Sequence, residues 1–349
     1  MNRRITYFDY LRIIAVISVI SLHIVAPSWA NTDVNVFDWQ ILSFYDSIAR
    51  WGVPIFVMIS GALLLGKDTS IKKLYGRKIL RIVVSFFFWS TVYTIWSTLI
   101  GNQSIKVKDL IREILTGHYH QWYMFMIVGL YIIIPILNRI VIHHDTAWYF
   151  VVVAFVFAII IPPCIKIIGY KFEGVSSVIN YIISNMQLHM VLGYSGYFVL
   201  GYLLHHTEIK KAQRAIIYFL GGMALIFTIV STSVISLRLN SPNGYFYGNL
   251  TPNTFFVSIS IFIMAKTHFS KRQLSVHSEN VLCFFSKCVF GIYLIHPLVL
   301  EFINCFFNIS ALSFNPIISV PLLTLAVFFV SLLISAILNM IPFIYIWIV

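Results

Sequence analysis

An arginine and a histidine stand inside the first apolar stretch of the chain, residues 8–30, FDYLRIIAVISVISLHIVAPSWA. Arg12 and His23 are eleven residues apart, which at ~100° per residue is three helical turns plus about 20°, so both side chains project from one face. At ~1.5 Å rise per residue they are roughly 16 Å apart along the axis, one near a membrane surface and one well inside. A charged side chain at the centre of such a segment costs at least ~2.5 kcal/mol on insertion scales, so its default reading is functional. Histidine suits proton abstraction near neutral pH, and a guanidinium fork suits phosphate or carboxylate. The bland alternative is an arginine that snorkels to the headgroups and a histidine bonded to a neighbouring helix.

Other residues could join this pair. Asp9 lies one turn before Arg12 and is placed to orient its guanidinium. Arg77 and Arg81, four apart on one helical face, are candidates for a phosphorylated ligand within KDTSIKKLYGRKILR, whose lysines otherwise read as topology determinants and anionic-lipid contacts. Arg50 ends an apolar run as an interface anchor or a binding residue. His118, His120, Trp122 and Tyr123 fall where an interfacial aromatic belt is expected, and a bland role there competes with a site. His296, followed by Pro297, and Glu301 point about 140° apart and do not face each other. The adjacent pairs His143–His144 and His205–His206 make no natural two-ligand site, and Cys164, Cys283, Cys288 and Cys305 show neither CxxC nor histidine-paired spacing, so no metal is expected. Ser60 has no strand-turn-helix nucleophile elbow around it and reads as packing.

The elements that must position these residues are membrane helices. Of the 349 residues, 59% are hydrophobic and 10% charged, with a mean hydropathy of +0.88, a balance foreign to soluble domains. Spans of ~20 apolar residues place about ten transmembrane helices, near 9–29, 41–66, 79–100, 120–141, 146–168, 188–205, 214–237, 252–267, 287–307 and 316–346. Pro54 is expected to kink the second of them. The net charge of +12 sits mainly in loops of one side, such as Lys67–Arg81, Lys210–Arg214 and Lys266–Lys287. That positive-inside bias puts both termini in the cytoplasm, and it explains the basic balance without nucleic acid. The first stretch is too long for a signal-peptide core. With no internal repeat or linker, residues 1–349 read as one all-α, integral-membrane domain with no appended soluble domain.

Four stretches, FDYLRIIAVISVISLH, VPIFVMISGALL, HYHQWYMFMIVGLYIIIPIL and FGIYLIHPLV, resemble the membrane acyltransferase 3 family, and the Arg12–His23 spacing is the most specific element of the match. The Arg50–Gly61 stretch is similar to the branch holding the O-acetyltransferase of enterobacterial common antigen. Arg77–Lys78 departs from the Arg-Arg of some members, and the fused periplasmic esterase-like domain of others is missing. The resemblance implies a multi-pass protein of a bacterial cytoplasmic (inner) membrane. It implies transfer of an acetyl or similar short acyl group from acyl-coenzyme A, a co-substrate rather than a tightly bound cofactor, to a hydroxyl of an envelope glycan or glycolipid. On that reading His23 is the base, and Arg12 with Arg77 and Arg81 holds the coenzyme phosphates. Arg50 and His296 orient the acyl carbonyl or the acceptor. O-succinyl transfer is the alternative within the class. A transporter or flippase with Arg12, His23 and His296 in a proton or anion path is the alternative outside it.

Overall fold

The computed structural model describes residues 4–67, 70–101, 106–170, 172–188, 191 and 193–349, and every regular element in that part is helical. In chain order these are α1 (Thr6–Asn31), α2 (Phe37–Ala49), α3 (Gly52–Leu64), the single turn α4 (Ile71–Lys73), α5 (Leu80–Gly101), α6 (Val107–Thr116), α7 (Trp122–Ile132), α8 (Ile134–Val141) and α9 (His144–Ala154). There follow α10 (Ile161–Gly169), α11 (Glu173–Asn185), α12 (Ser195–His206), α13 (Lys211–Leu239), α14 (Pro252–Phe269), α15 (Val276–Phe307), α16 (Pro316–Asn339) and α17 (Pro342–Trp347). Wide π turns at Leu74–Ile79 and Phe155–Ile160 join α4 to α5 and α9 to α10, and a 3-10 turn at Tyr119–Gln121 leads into α7.

Each of the ten stretches placed by hydropathy holds a helix, and the protein is an all-α, polytopic membrane protein. Among the described residues, seven helical stretches are long and apolar enough to cross a bilayer, or eight if Val107–Ile132 and α8, bent by 57° from one another, are one span. The other two expected positions are α12, only 12 residues long and starting at Ser195, and α14, which carries Asn253, Lys266 and His268. Residues 189, 190 and 192 of the expected 188–205 span lie outside the described residues. The lipid-facing sides are plain in α13, where Phe219, Met223 and Ile226 form an exposed apolar stripe at helical spacing.

Two breaks shape the interior. The second span is interrupted at Arg50–Trp51, ahead of Pro54, which then sits in the first turn of α3, where a missing N–H costs no helical bond. Pro135 plays the same part at the start of α8, just after the bend. α3 packs tightly on α12: a Cβ on Gly61 would fall 1.8 Å from the Phe198 carbonyl oxygen, and one on Gly201 2.0 Å from that of Met58. Only glycine lets these two backbones approach so closely.

α1 is the central helix, packed against α2, α3, α14, α15 and α16. One buried cluster joins its first turns to α3, α7, α8, α12 and α14; a second joins its middle to α5, α15 and α16. Phe56, Ile82 and Tyr123 pack against both clusters. A cavity opens at that seam.

Candidate active site

The cavity has a volume of about 690 Å³ and is bounded by α1, α3, α5 with its preceding π turn, α7 and α15. Arg12, Arg77, Lys78, Arg81 and Lys287 line one part of it; His23, His120 and Trp122 line another, and no carboxylate is among its lining residues. The floor between is apolar and aromatic, with Val19, Phe56, Tyr123, Ile127, Phe290 and Tyr293. Arg12 and His23 therefore open into the same space, as their eleven-residue spacing requires of a straight helix.

At the basic end, the buried carboxylate of Asp9 organises the cations around it. Arg4 Nε donates to Asp9 Oδ2 at 2.6 Å and Arg4 Nη2 to Oδ1 at 3.0 Å, while Arg12 Nη1 donates to Oδ1 at 3.1 Å. Ser286 Oγ donates to the same Oδ1 at 2.6 Å, and Arg12 Nη1 also reaches Ser286 Oγ at 3.3 Å. One carboxylate against two guanidiniums leaves the group net cationic and fixes Arg12 by one edge, so its remaining N–H groups are available to a ligand. Asp9 is thus bonded to Arg12, one turn further along α1. Arg81 is held by backbone carbonyls of the last segment, donating to Tyr345 at 3.3 Å and to Val349.

At the other end the two histidines come from different helices. His296 Nδ1 lies 3.1 Å from the carbonyl of Ile292, and a carbonyl only accepts, so in the neutral ring Nδ1 carries the hydrogen. Pro297 has no N–H to offer the carbonyl of Tyr293, and the His296 side chain bonds that carbonyl too. His296 Nε2 is then an acceptor, 2.7 Å from His23 Nδ1. His23 must donate from Nδ1, which leaves its Nε2 with a free lone pair on a residue that lines the cavity. The two ring planes are within 7° of each other, and Tyr119 packs edge-on against His23. This His296–His23 pairing joins α15 to α1, across 273 residues of sequence.

A second histidine chain flanks the first. Gly117, at φ 73°, ends α6 and turns the backbone so that His118 and His120 fold back over α5. His118 N donates to Gln121 Oε1 at 2.7 Å, closing that turn. His118 Nε2 is 3.0 Å from Glu301 Oε1, Trp96 Nε1 donates to Glu301 Oε2 at 3.0 Å, and His118 Nδ1 is 3.1 Å from His120 Nδ1. Tyr93 stacks on His118 at 4.2 Å, and its hydroxyl donates to the Leu294 carbonyl at 2.7 Å.

The remaining expected residues divide. Arg77, Arg81, His120 and Trp122 line the cavity. Arg50 does not: its guanidinium is paired with the buried carboxylate of Asp46, lies 4.0 Å over the Tyr247 ring and donates to the Tyr247 carbonyl at 3.3 Å. There it clamps the 240–251 loop onto the α2–α3 break. Burial pushes the Tyr247 phenol up to about 12, so it stays neutral among Ser43 and Ser47. His144 and His205 bond Trp148 and Tyr7, away from the cavity, and no metal-holding group of three occurs among the described residues. Ser60 Oγ donates to the Phe56 carbonyl, a packing role, although its side chain reaches the cavity wall.

Lys287, Ser286 and Tyr293 were not singled out by the sequence, and Lys78 only as a departure from an Arg-Arg pair. Ser286, Phe290 and Tyr293 recur at four and three residues along α15, the period of a single helical face. That was the signal, and the apolar residues on every face of the middle of α15 mask it.

A helical membrane protein with a cavity that is cationic at one end and histidine-tipped at the other is the class defined by fold and site. A family model described as an acyltransferase domain, acyltransferase 3, matches residues 5–340, and the chain belongs to that family. No curated protein and no solved structure matches it.

Proposed function

We propose that this membrane acyltransferase moves an acetyl or similar short acyl group from acyl-coenzyme A to a hydroxyl of an envelope glycan or glycolipid. One observation carries the reading: a single cavity reaches from five cationic side chains to the lone pair of His23. Coenzyme A phosphates suit the Arg12, Arg77, Lys78, Arg81 and Lys287 end. The apolar floor suits the pantetheine arm, and the thioester then arrives where His23 stands. The positive-inside bias assigns the cationic end to the cytoplasm, so donor and acceptor enter from opposite sides of the bacterial inner membrane.

The chemistry balances on one histidine. His23 Nε2 takes the proton of the acceptor hydroxyl as its oxygen bonds the thioester carbonyl carbon. The tetrahedral intermediate then breaks its C–S bond, and the departing thiolate takes the proton from His23. A positioned general base of this kind contributes ~10²–10⁴-fold. The test follows radiolabel from acetyl-coenzyme A, and in parallel from succinyl-coenzyme A, into base-labile envelope material in membranes that carry the protein. Label is expected with the wild type and none above background with His23→Ala at equal membrane abundance. Equal labelling by the variant removes His23 as the base, and no labelling from either donor removes the acyl-coenzyme A reading.

A further inference from the structure

His120 lines the cavity, and behind that wall it carries a buried polar atom that nothing described so far uses. Its side chain is 2% exposed, and its Nε2 has no hydrogen-bond partner among the described residues. The other nitrogen, Nδ1, is tied into a chain that runs through His118 to Glu301. A buried imidazole nitrogen without a partner is costly to leave unsatisfied, so its position at the wall of a cavity asks for a ligand that supplies the missing bond.

The chain decides what that nitrogen offers. Glu301 already accepts from Trp96 Nε1, and its second oxygen faces His118 Nε2, which must therefore carry a hydrogen. Between His118 Nδ1 and His120 Nδ1, 3.1 Å apart, only one hydrogen fits. If His118 is a neutral ring, that hydrogen belongs to His120, and His120 Nε2 is a bare acceptor. If His118 is an imidazolium, it donates to His120 Nδ1, and His120 Nε2 becomes an N–H donor. The donor form needs the contacts that are present around His118, a carboxylate oxygen 3.0 Å from one edge and the parallel face of Tyr93 at 4.2 Å.

We infer that Glu301 and His118 hold His120 as an Nε2–H donor, and that this N–H binds the oxyanion formed when the acceptor oxygen adds to the thioester carbonyl. The inference rests on the acyl-transfer reading above and deepens it. His120 is the catalytic group, and His118 and Glu301 are positioning residues that act through it. The two histidine chains are then complementary. His296 leaves His23 with a lone pair that removes a proton, while His118, donating to His120 Nδ1, leaves His120 with an Nε2–H that stabilises negative charge, and both rings flank His296, the His120 ring at 5.8 Å. The carbonyl oxygen gains its negative charge as the C–O bond forms and loses it as the C–S bond breaks, so His120 keeps its hydrogen throughout and no proton is consumed.

The hydrogen is read directly, without any activity, from histidine ¹⁵N resonances of the purified full chain in nanodiscs. His120 is expected to show a protonated Nε2 in the wild type and to shift towards the Nδ1–H form in Glu301→Gln at the same pH. A wild-type His120 in the Nδ1–H form overturns the assignment even if acyl transfer is established. Kinetics with acetyl-coenzyme A give the second arm. His120→Ala is expected to lower kcat by ~10²–10³-fold, the size of one lost oxyanion donor, with His120→Gln, which keeps an N–H, recovering part of the loss. Glu301→Gln should then cost nothing further in the His120→Ala background, because it acts only through that ring. Additive losses assign Glu301 a structural role and overturn the inference. Absence of transfer by the wild type counts against the acyl-transfer reading and with it the oxyanion role, while the ¹⁵N result still decides the hydrogen on His120.

Discussion

At the scale of single residues, the candidate base is defined by its partner as much as by its own identity. His23 would be ambiguous alone, since either ring nitrogen of a neutral imidazole can carry the hydrogen. The ambiguity is removed two bonds away, by the carbonyls of Ile292 and Tyr293 that fix His296. Replacing His296 by Ala should therefore lower kcat for acyl transfer towards the His23→Ala level, ~10²-fold or more, while the KM for acyl-coenzyme A changes little, because the cationic end is untouched. A rise in KM with kcat preserved would mean that His296 serves binding instead. Arg12, His23 and Asp9 were legible in the sequence because they share one helix, where spacing alone determines direction. The pairing of His23 with His296, and of His118 with Glu301, was not, because helical periodicity says nothing about which helices meet. His296 and Glu301 do point to different neighbours, as their 140° offset requires.

At the scale of elements, the site depends on where helices stop. Hydropathy located the ten longer stretches but not α6 or α11, and beyond the kink expected at Pro54 it gave no sign of the interruption at Arg50–Trp51, the bend after α7 or the π turn at Leu74–Ile79. Each is a local backbone choice inside a uniformly apolar or basic run, and windows of ~20 residues average it away. The turn at Gly117 is the clearest case of such a choice acting on chemistry. Its φ of 73° disfavours any other residue, and an added Cβ would stand 2.6 Å from the Phe86 ring and 2.9 Å from Gln121 Oε1. Gly117→Val should cost about 1–3 kcal/mol of local strain and displace His118 and His120 together. The expected outcome is normal membrane insertion, lost chemical activity and faster hydrogen exchange confined to residues near 117–121. Exchange that rises throughout the protein instead would show that the turn supports the whole fold and not the histidine chain.

At the scale of the whole molecule, the arrangement is a gradient from cation to histidine across one bundle. Five cationic side chains without an acidic one along the cavity wall focus positive potential into a low-dielectric opening, while Asp9 moderates it from behind. A polyanionic donor is drawn by that field, whereas an uncharged sugar hydroxyl is not. Raising ionic strength from about 0.05 to 0.3 M shortens the screening length from roughly 14 Å to 6 Å, so the KM for acyl-coenzyme A should rise with salt while the acceptor's KM stays flat. Removing charge at Arg77 and Arg81 together should raise the donor KM at low salt and flatten its salt dependence, with kcat largely kept, since neither residue touches the histidine pairs. A salt dependence as steep in the double variant as in the wild type would move the recognition of the donor away from these arginines. An equal rise in both KM values would mean that donor and acceptor share the cationic entrance, and the two-sided geometry proposed for this bundle would have to be given up.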